Sequence, residues 1–237
     1  MEDFFLFLCA PKTNKIQFMN LKIAMAACMA ALLLVACGPS AEEQAAAREK
    51  AAADSLAALA SMEMSYTVDP AASKVVWAGT MLGIKTHTGS VNFLEGTVTT
   101  KGPTLVGGSF TVDMKNYALT DTNYAPDGAD KGTRAMLMGH LTSPDFFNVD
   151  SFPTATLKIT SVTGNNATAD LTVRGKTHSE NITDIVVTPN PDGSVTATAK
   201  LAFDRQKYGV AWSSGSKDAV LNDIIETNVE ITAKAAK

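Results

Sequence analysis

Apolar and polar positions alternate strictly over residues 195–203 (VTATAKLAF). Val195, Ala197, Ala199, Leu201 and Phe203 share one parity, and Thr196, Thr198 and Lys200 share the other. A period of two marks a strand with one buried and one wet face. The last segment behaves alike: Thr227, Val229, Ile231 and Ala233 oppose Glu226, Asn228, Glu230 and Lys234. Further strand-like runs rich in Val, Thr and Phe cover residues 74–79, 86–98, 105–114, 154–162, 167–174 and 181–188. Hairpin-type turns, Gly164-Asn165-Asn166 and the PNPDG of 189–193, separate some of them. About eight one-faced antiparallel strands predict an all-β domain, either a closed barrel or a sandwich. Within this domain helix is expected only at 130–141 and 143–148. In the second, Ser143 is placed to cap, Pro144 to start the helix and Asp145 to meet its positive end.

Ahead of the strands the pattern dissolves. Residues 38–64 (GPSAEEQAAAREKAAADSLAALASMEM) favour helix, yet only Leu56 and Leu59 offer bulk before Met62. That composition predicts a helical spacer rather than a coiled coil, since no heptad repeats. Further upstream, Met19-Asn-Leu-Lys22 precedes an apolar run at 23–36, the n- and h-regions of a signal peptide. The run is too short to span a bilayer comfortably. It ends in Leu34-Val35-Ala36-Cys37, which resembles the bacterial lipobox, whose cysteine is diacylated and becomes the new N-terminus. The expected organisation is a signal peptide at 1–36, a lipidated Cys37 with its tether to 64, and a β-domain at 65–237. Met19 is then the expected true start, with 1–18 an upstream misreading. The protein is expected to be a palmitate-bearing lipoprotein of the bacterial cell envelope, facing the periplasm or the cell surface.

Cysteine usage follows from this. Cys9 and Cys28 fall in the removed part and Cys37 carries lipid, so no thiol remains for a disulfide, a metal or a nucleophile. Net charge is −4 with scattered basic residues, which does not suggest a nucleic-acid partner. His87, His140 and His178 lie in separate segments without HExxH or helical spacing, so no metal is expected. Ser213, Ser214 and Ser216 lack a nucleophile elbow. Asp113, Asp121, Asp127 and Asp130 lack an EF-hand pattern. No cofactor and no catalysis are expected. Trp77, Phe93, Phe110, Phe146, Phe147, Phe152, Phe203 and Trp212 are spread over most elements. In a sandwich they form the core; in a barrel of about eight strands they can line a ligand chamber. Periodicity does not choose. His87 shares parity with Gly89, Val91 and Phe93, and is either an inward polar hook or a histidine satisfied by the backbone.

Residues 139–156 (GHLTSPDFFNVDSFPTAT) resemble the signature of the YceI-like polyisoprenoid-binding family, Gly-His-Leu-x-Ser-x-Asp-Phe-Phe-Asp-Val followed by a Pro-x-Ala strand. SKVVWAG at 73–79, HTG at 87–89, GGSFTVDM at 107–114, DLTVRGKT at 170–177 and DRQKYGV at 204–210 resemble further family segments in the same order. Two segments depart from the family: HSEN after Thr177, and the Ser-, Gly- and Lys-rich run after Trp212. The resemblance implies a lipocalin-like eight-stranded antiparallel barrel with one or two short helical insertions. It also implies an apolar channel for an isoprenoid-like lipid or a quinone tail. The residues expected to contact such a ligand are Trp77, His87, Phe93, Phe110, Leu137, Leu141, Phe146, Phe147, Leu171, Phe203 and Trp212. The alternatives are an enzyme acting on a lipid or quinone, and a ligand-free structural or interaction module.

Overall fold

The computed structural model describes residues 40–82, 85–213, 215 and 220–236. The expectations for the signal segment, the true start, Cys9, Cys28, Cys37, Ser214 and Ser216 lie outside the described residues. The chain divides into two units, Met1–Ala45 and Ala46–Lys237. Of the first, the described part is the start of helix α1 (Ala41–Ser61). Ser40 and Glu43 exchange hydrogen bonds there, each side chain accepting from the other's backbone N–H. This reciprocal cap explains why the alanine-rich run begins its helix at Ala41. No described helix is long and apolar enough to cross a membrane.

The second unit is built from β1 (Glu63–Val68), β2 (Lys74–Leu82), β3 (Lys85–Lys101), β4 (Thr104–Leu119), β5 (Thr154–Thr163), β6 (Asn166–Val173), β7 (Lys176–Pro189), β8 (Val195–Asp204), β9 (Val220–Leu221) and β10 (Ile224–Ala235). Helix α2 (Arg134–Thr142) interrupts the long β4–β5 connection. The strands follow one another as antiparallel neighbours from β2 round to β8 and then β10, and β10 pairs back onto β2. Closure therefore makes an eight-stranded barrel, not a sandwich. Strand β1 also pairs with both β10 and β3, with Tyr66 opposite Ala235 and Thr67 opposite Thr97. It thus extends the stave occupied by β2, and the short turn of 3-10 helix at Pro70–Ala72 separates the two pieces.

Two elements escaped the periodicity, β1 and the two-residue β9. Glu63–Ser65 are exposed and do not alternate, so only register against β3 identifies them as strand. The helix expected at 143–148 is instead a series of turns. Ser143 is already used as the C-cap of α2: its backbone N–H and its hydroxyl both donate to the His140 carbonyl. The chain then folds back, with Phe146 and Asn148 donating to Ser143 O and Asn148 at φ 50°.

Parity holds where strands run undisturbed and breaks at bulges. In β8 and β10 the inward faces are those the alternation predicts. In β3 the buried set passes from Val91 and Phe93 to Gly96 and Val98, across register shifts around Phe93. In β7 a register shift with Asp184 at φ 54° lets Ile182 and Ile185, three apart, both face inward. An extra residue in a strand re-aims everything after it.

The connections β3–β4, β5–β6 and β7–β8 are tight turns and share one end of the barrel, with Gly102, Gly164 and Gly193 in the left-handed conformation. The opposite end carries α2 and the long segments 120–133 and 205–223. These longer connections, rather than the strands, shape the chamber's mouth.

Candidate ligand chamber

The barrel encloses a cavity of about 740 Å³, within the ~300–1,000 Å³ range of ordinary ligand clefts. One apolar cluster surrounds its closed end, with Phe93, Val98, Leu105, Ile182, Ile185 and Ile231. A second surrounds its mouth end, with Met114, Leu141, Phe146, Phe147, Leu171 and Phe203. All twelve line the cavity, which therefore runs through both clusters. Small residues keep it open: Ala197 and Ala199 point inward where larger side chains would fill the bore. The charged residues on the wall, Lys85 and Lys131, belong to the segments at the mouth, together with the exposed Met136.

Every residue expected to contact ligand lies on this wall. Trp77, His87, Phe93 and Phe110 reach it from β2, β3 and β4. Leu137 and Leu141 descend from α2, and Phe146 and Phe147 from the turn after it. Leu171, Phe203 and Trp212 complete the set from β6, β8 and the segment after β8. His178 lies elsewhere, with its Nε2 3.1 Å from Lys207 O.

Aromatic rings make a continuous belt beneath the mouth. Trp77 meets Tyr117 edge-on at 6.2 Å, and Tyr117 stacks on Phe147 at 6.0 Å. Phe147 touches Phe146 at 4.9 Å, which meets His140 at 5.2 Å, and His140 meets Trp212 at 4.6 Å. The indole of Trp77 packs close over Gly89, its cross-strand partner. A Cβ at position 89 would stand 2.4 Å from Trp77 Cζ2 and 2.5 Å from Ala118 O, so glycine alone admits the ring. The Tyr117 phenol is buried, which pushes its pKa up, and its hydroxyl donates to Met114 Sδ at 3.8 Å.

His87 is oriented by a carboxylate. Its Nδ1 is 2.9 Å from Asp121 Oδ2, while Asp121 Oδ1 accepts from Tyr124 Oη at 2.5 Å and from Thr88 N at 3.2 Å. The imidazole stacks on Tyr124 at 5.1 Å, and Arg134 lies over that same ring while donating to Leu119 O. This set pins α2 and the 120–133 segment to the barrel. Burial by itself raises the Asp121 carboxyl, but the bonds from Tyr124, His87 and Thr88 outweigh it and hold its pKa at about 2. The same bond and burial raise Tyr124 to about 12. A carboxyl depressed in the folded state stabilises above its unfolded value of about 4, and that contribution is lost as pH falls through about 2. Asp121→Asn is therefore expected to lower stability at neutral pH and to flatten the acid limb between about pH 4 and 2. Urea midpoints measured across that range check it.

Two arginines position the wall without being part of it. Arg174, at φ 51° in the turn with Gly175, donates to Pro144 O, Phe146 O and Gly209 O, each at 2.7 Å. It thereby fixes the turn that presents Phe146 and Phe147. Arg205 is 3% exposed and its guanidinium serves Val210 O, Trp212 O, Leu221 O, Asn222 O and Asp223 Oδ1. It holds the segment that carries Trp212. The sequence carried a faint signal for both, a lone basic residue at a turn (Arg174-Gly175) and the Asp204-Arg205 pair, but nothing about their partners. Tyr208, fully buried, donates to Glu180 Oε1 at 2.9 Å.

The wall is lined mostly by apolar side chains, with Lys85 and Lys131 as its charged members. Among the described residues no group of three or more His, Cys, Asp or Glu gathers as a metal site.

Similar architectures are known. BcnA of Burkholderia cenocepacia superposes with a TM-score of 0.56 at 20% identity, covering 70% of this chain and 99% of that one. A polyisoprenoid binding domain from Saccharophagus degradans, implicated in plant cell wall breakdown, superposes at 0.50 with 12% identity, over 73% of this chain and 99% of its own. At such identities the likeness is one of fold. Comparison with curated proteins finds no match. The family model of the YceI-like domain matches residues 66–236, which span the barrel from β1 to β10, and the chain belongs to that family.

Proposed function

We propose that this protein holds an isoprenoid-like lipid, or a lipid of similar length and apolarity, inside its barrel, and that it does so as a carrier or binder rather than as an enzyme. The observation that carries the reading is the cavity of about 740 Å³ running through both apolar clusters. A barrel filled by its own side chains would have no such volume, so the ligand-free module is disfavoured. Membership of the YceI-like family supports lipid binding. So does a fold shared with a domain described as polyisoprenoid binding. Each methylene moved from water into this wall contributes about 0.8 kcal/mol, so a few isoprene units offset the cost of association. A lipid anchor at Cys37, with α1 as spacer, would keep such a barrel at a bacterial membrane from which ligand could be drawn.

The test is native mass spectrometry of the chain from Ala46 onward, a compact unit that contains both clusters and the whole closed barrel. Starting at Tyr66 would cut β1. A removable lipid of consistent mass after organic extraction is the expected result. Phe146→Ala and Phe147→Ala, made separately, are expected to weaken its retention about tenfold or more while the barrel stays folded. Protein that stays empty when offered isoprenoids of several lengths would sink the reading.

A further inference from the structure

The outward faces of β8 and β10 are mainly polar, with Thr196 and Lys200 on one and Glu226, Asn228 and Glu230 on the other. One ladder breaks that rule. Where β2 meets β9, Met81 pairs with Leu221 and Leu82 with Val220. Met81 and Leu221 line the cavity. Leu82 and Val220 do not, and they are 51% and 50% exposed. A strand that is apolar on both faces is normally covered on both. Met136 on α2 and Ile224 at the start of β10 are exposed at the same end of the barrel. Four exposed apolar side chains thus stand at the mouth end, the kind of surface that marks a docking site.

Charge and position narrow what docks there. The charged residues of the wall, Lys85 and Lys131, stand at this mouth. Lys85 donates to Asn123 O at 3.4 Å, and neither lysine pairs with a described carboxylate. Asp127 and Asp130 are exposed on the same segment but lie off the wall. Apolar side chains beside long cationic ones are suited to a bilayer interface, where the stems sink and the ammonium groups stay among anionic head groups. A protein seated on the mouth would stopper the bore. A bilayer instead continues its apolar interior into it. The chain from α1 enters the barrel at the opposite end, where Glu63 pairs with Lys101 beside the β3–β4 turn, so the tether does not occupy the mouth.

We propose that the mouth end of the barrel docks on a bilayer surface bearing anionic head groups, with Leu82, Val220, Ile224 and Met136 entering the interface and Lys85 and Lys131 meeting the head groups. The purpose of the contact rests on the lipid-binding reading, since a docked bore opens directly into the apolar phase. The contact itself does not need a bound ligand.

The chain from Ala46 onward, which lacks Cys37, is sedimented with sucrose-loaded vesicles of phosphatidylcholine alone and of phosphatidylcholine mixed with phosphatidylglycerol. The mixed vesicles are expected to bind ~3–10-fold tighter, and Lys131→Gln to narrow that preference. Leu82→Thr and Val220→Thr keep a strand former at each position, and each is expected to weaken binding about threefold or more, the pair together about tenfold or more. Urea midpoints and lipid retention by native mass spectrometry should stay unchanged in both, because neither residue lines the cavity. Val186→Thr is the control, a side chain 53% exposed toward the closed end, and should leave vesicle binding unchanged. Wild-type protein that ignores both vesicles overturns the proposal, as does an equal loss in the control. Self-association that Leu82→Thr abolishes, without vesicle binding, would make the rim an interface between copies and also overturns it. A barrel that stays empty yet binds vesicles through the rim would sink the lipid-binding reading and leave this inference standing.

Discussion

The double variant Ala197→Phe/Ala199→Phe is expected to lose lipid while keeping its fold. Both alanines point into the bore from β8, with Ala197 between Val187 and Ile231 and Ala199 opposite Val229. Two added rings would occupy space that ligand needs. Displacing about five methylene equivalents forfeits ~4 kcal/mol, close to a thousandfold in affinity. Over-packing normally destabilises a core, but here the rings enter a cavity of about 740 Å³ rather than a filled interior. The unfolding free energy from urea titration should hold or rise by the ~0.5–2 kcal/mol typical of cavity filling. Undiminished lipid uptake in a folded variant would place the ligand outside the barrel.

Arg205→Met is expected to cost about 3–5 kcal/mol of stability, the scale for breaking a buried charged network. Methionine keeps much of the stem's volume, so the loss isolates the guanidinium. Four backbone carbonyls and the Asp223 carboxylate lose their donor together. The ion pair itself is the smaller part: Asp223 is about half exposed, and Asp223→Asn should cost no more than about 1 kcal/mol. Because Trp212 is carried on the clamped segment, Arg205→Met should also shift tryptophan emission and weaken lipid retention. Urea unfolding and fluorescence of the two variants side by side check this. Equal, small losses would show that solvent replaces the guanidinium.

Strand content was legible because alternation in segments such as 195–203 is a local property, set by which face of each strand meets water. Parity failed where a residue is added to one strand, around Phe93 and at Asp184, since a bulge is defined by the neighbouring strand's register. The turn after α2 failed for a related reason. Ser143, Pro144 and Asp145 make a good helix start, but Ser143 was claimed by the helix before it and the carbonyls of Pro144 and Phe146 by Arg174, far along the chain.

The candidate wall was legible to a different depth. Its large apolar residues announce themselves by type and parity, and each residue expected there does line the cavity. What they surround was not legible from periodicity; only the family resemblance implied a barrel with a channel. Whether inward side chains fill a bore or leave one depends on closure of β10 onto β2 and on small residues such as Ala197 and Ala199 facing the bore. That Trp77 Nε1 and His140 Nε2 have no partner among the described residues depends on what neither comes near.

From its residues alone this protein is determined as an all-β domain of about eight one-faced strands, because burial of one face imprints a two-residue period. The family resemblance of its motifs added a closed eight-stranded barrel with an apolar channel, and the strands do close. The register of that closure, the volume left inside and which polar atoms look into the hollow were decided only by the tertiary structure. Register, volume and pairing are properties of residues brought together from distant parts of the chain, and no local pattern encodes them.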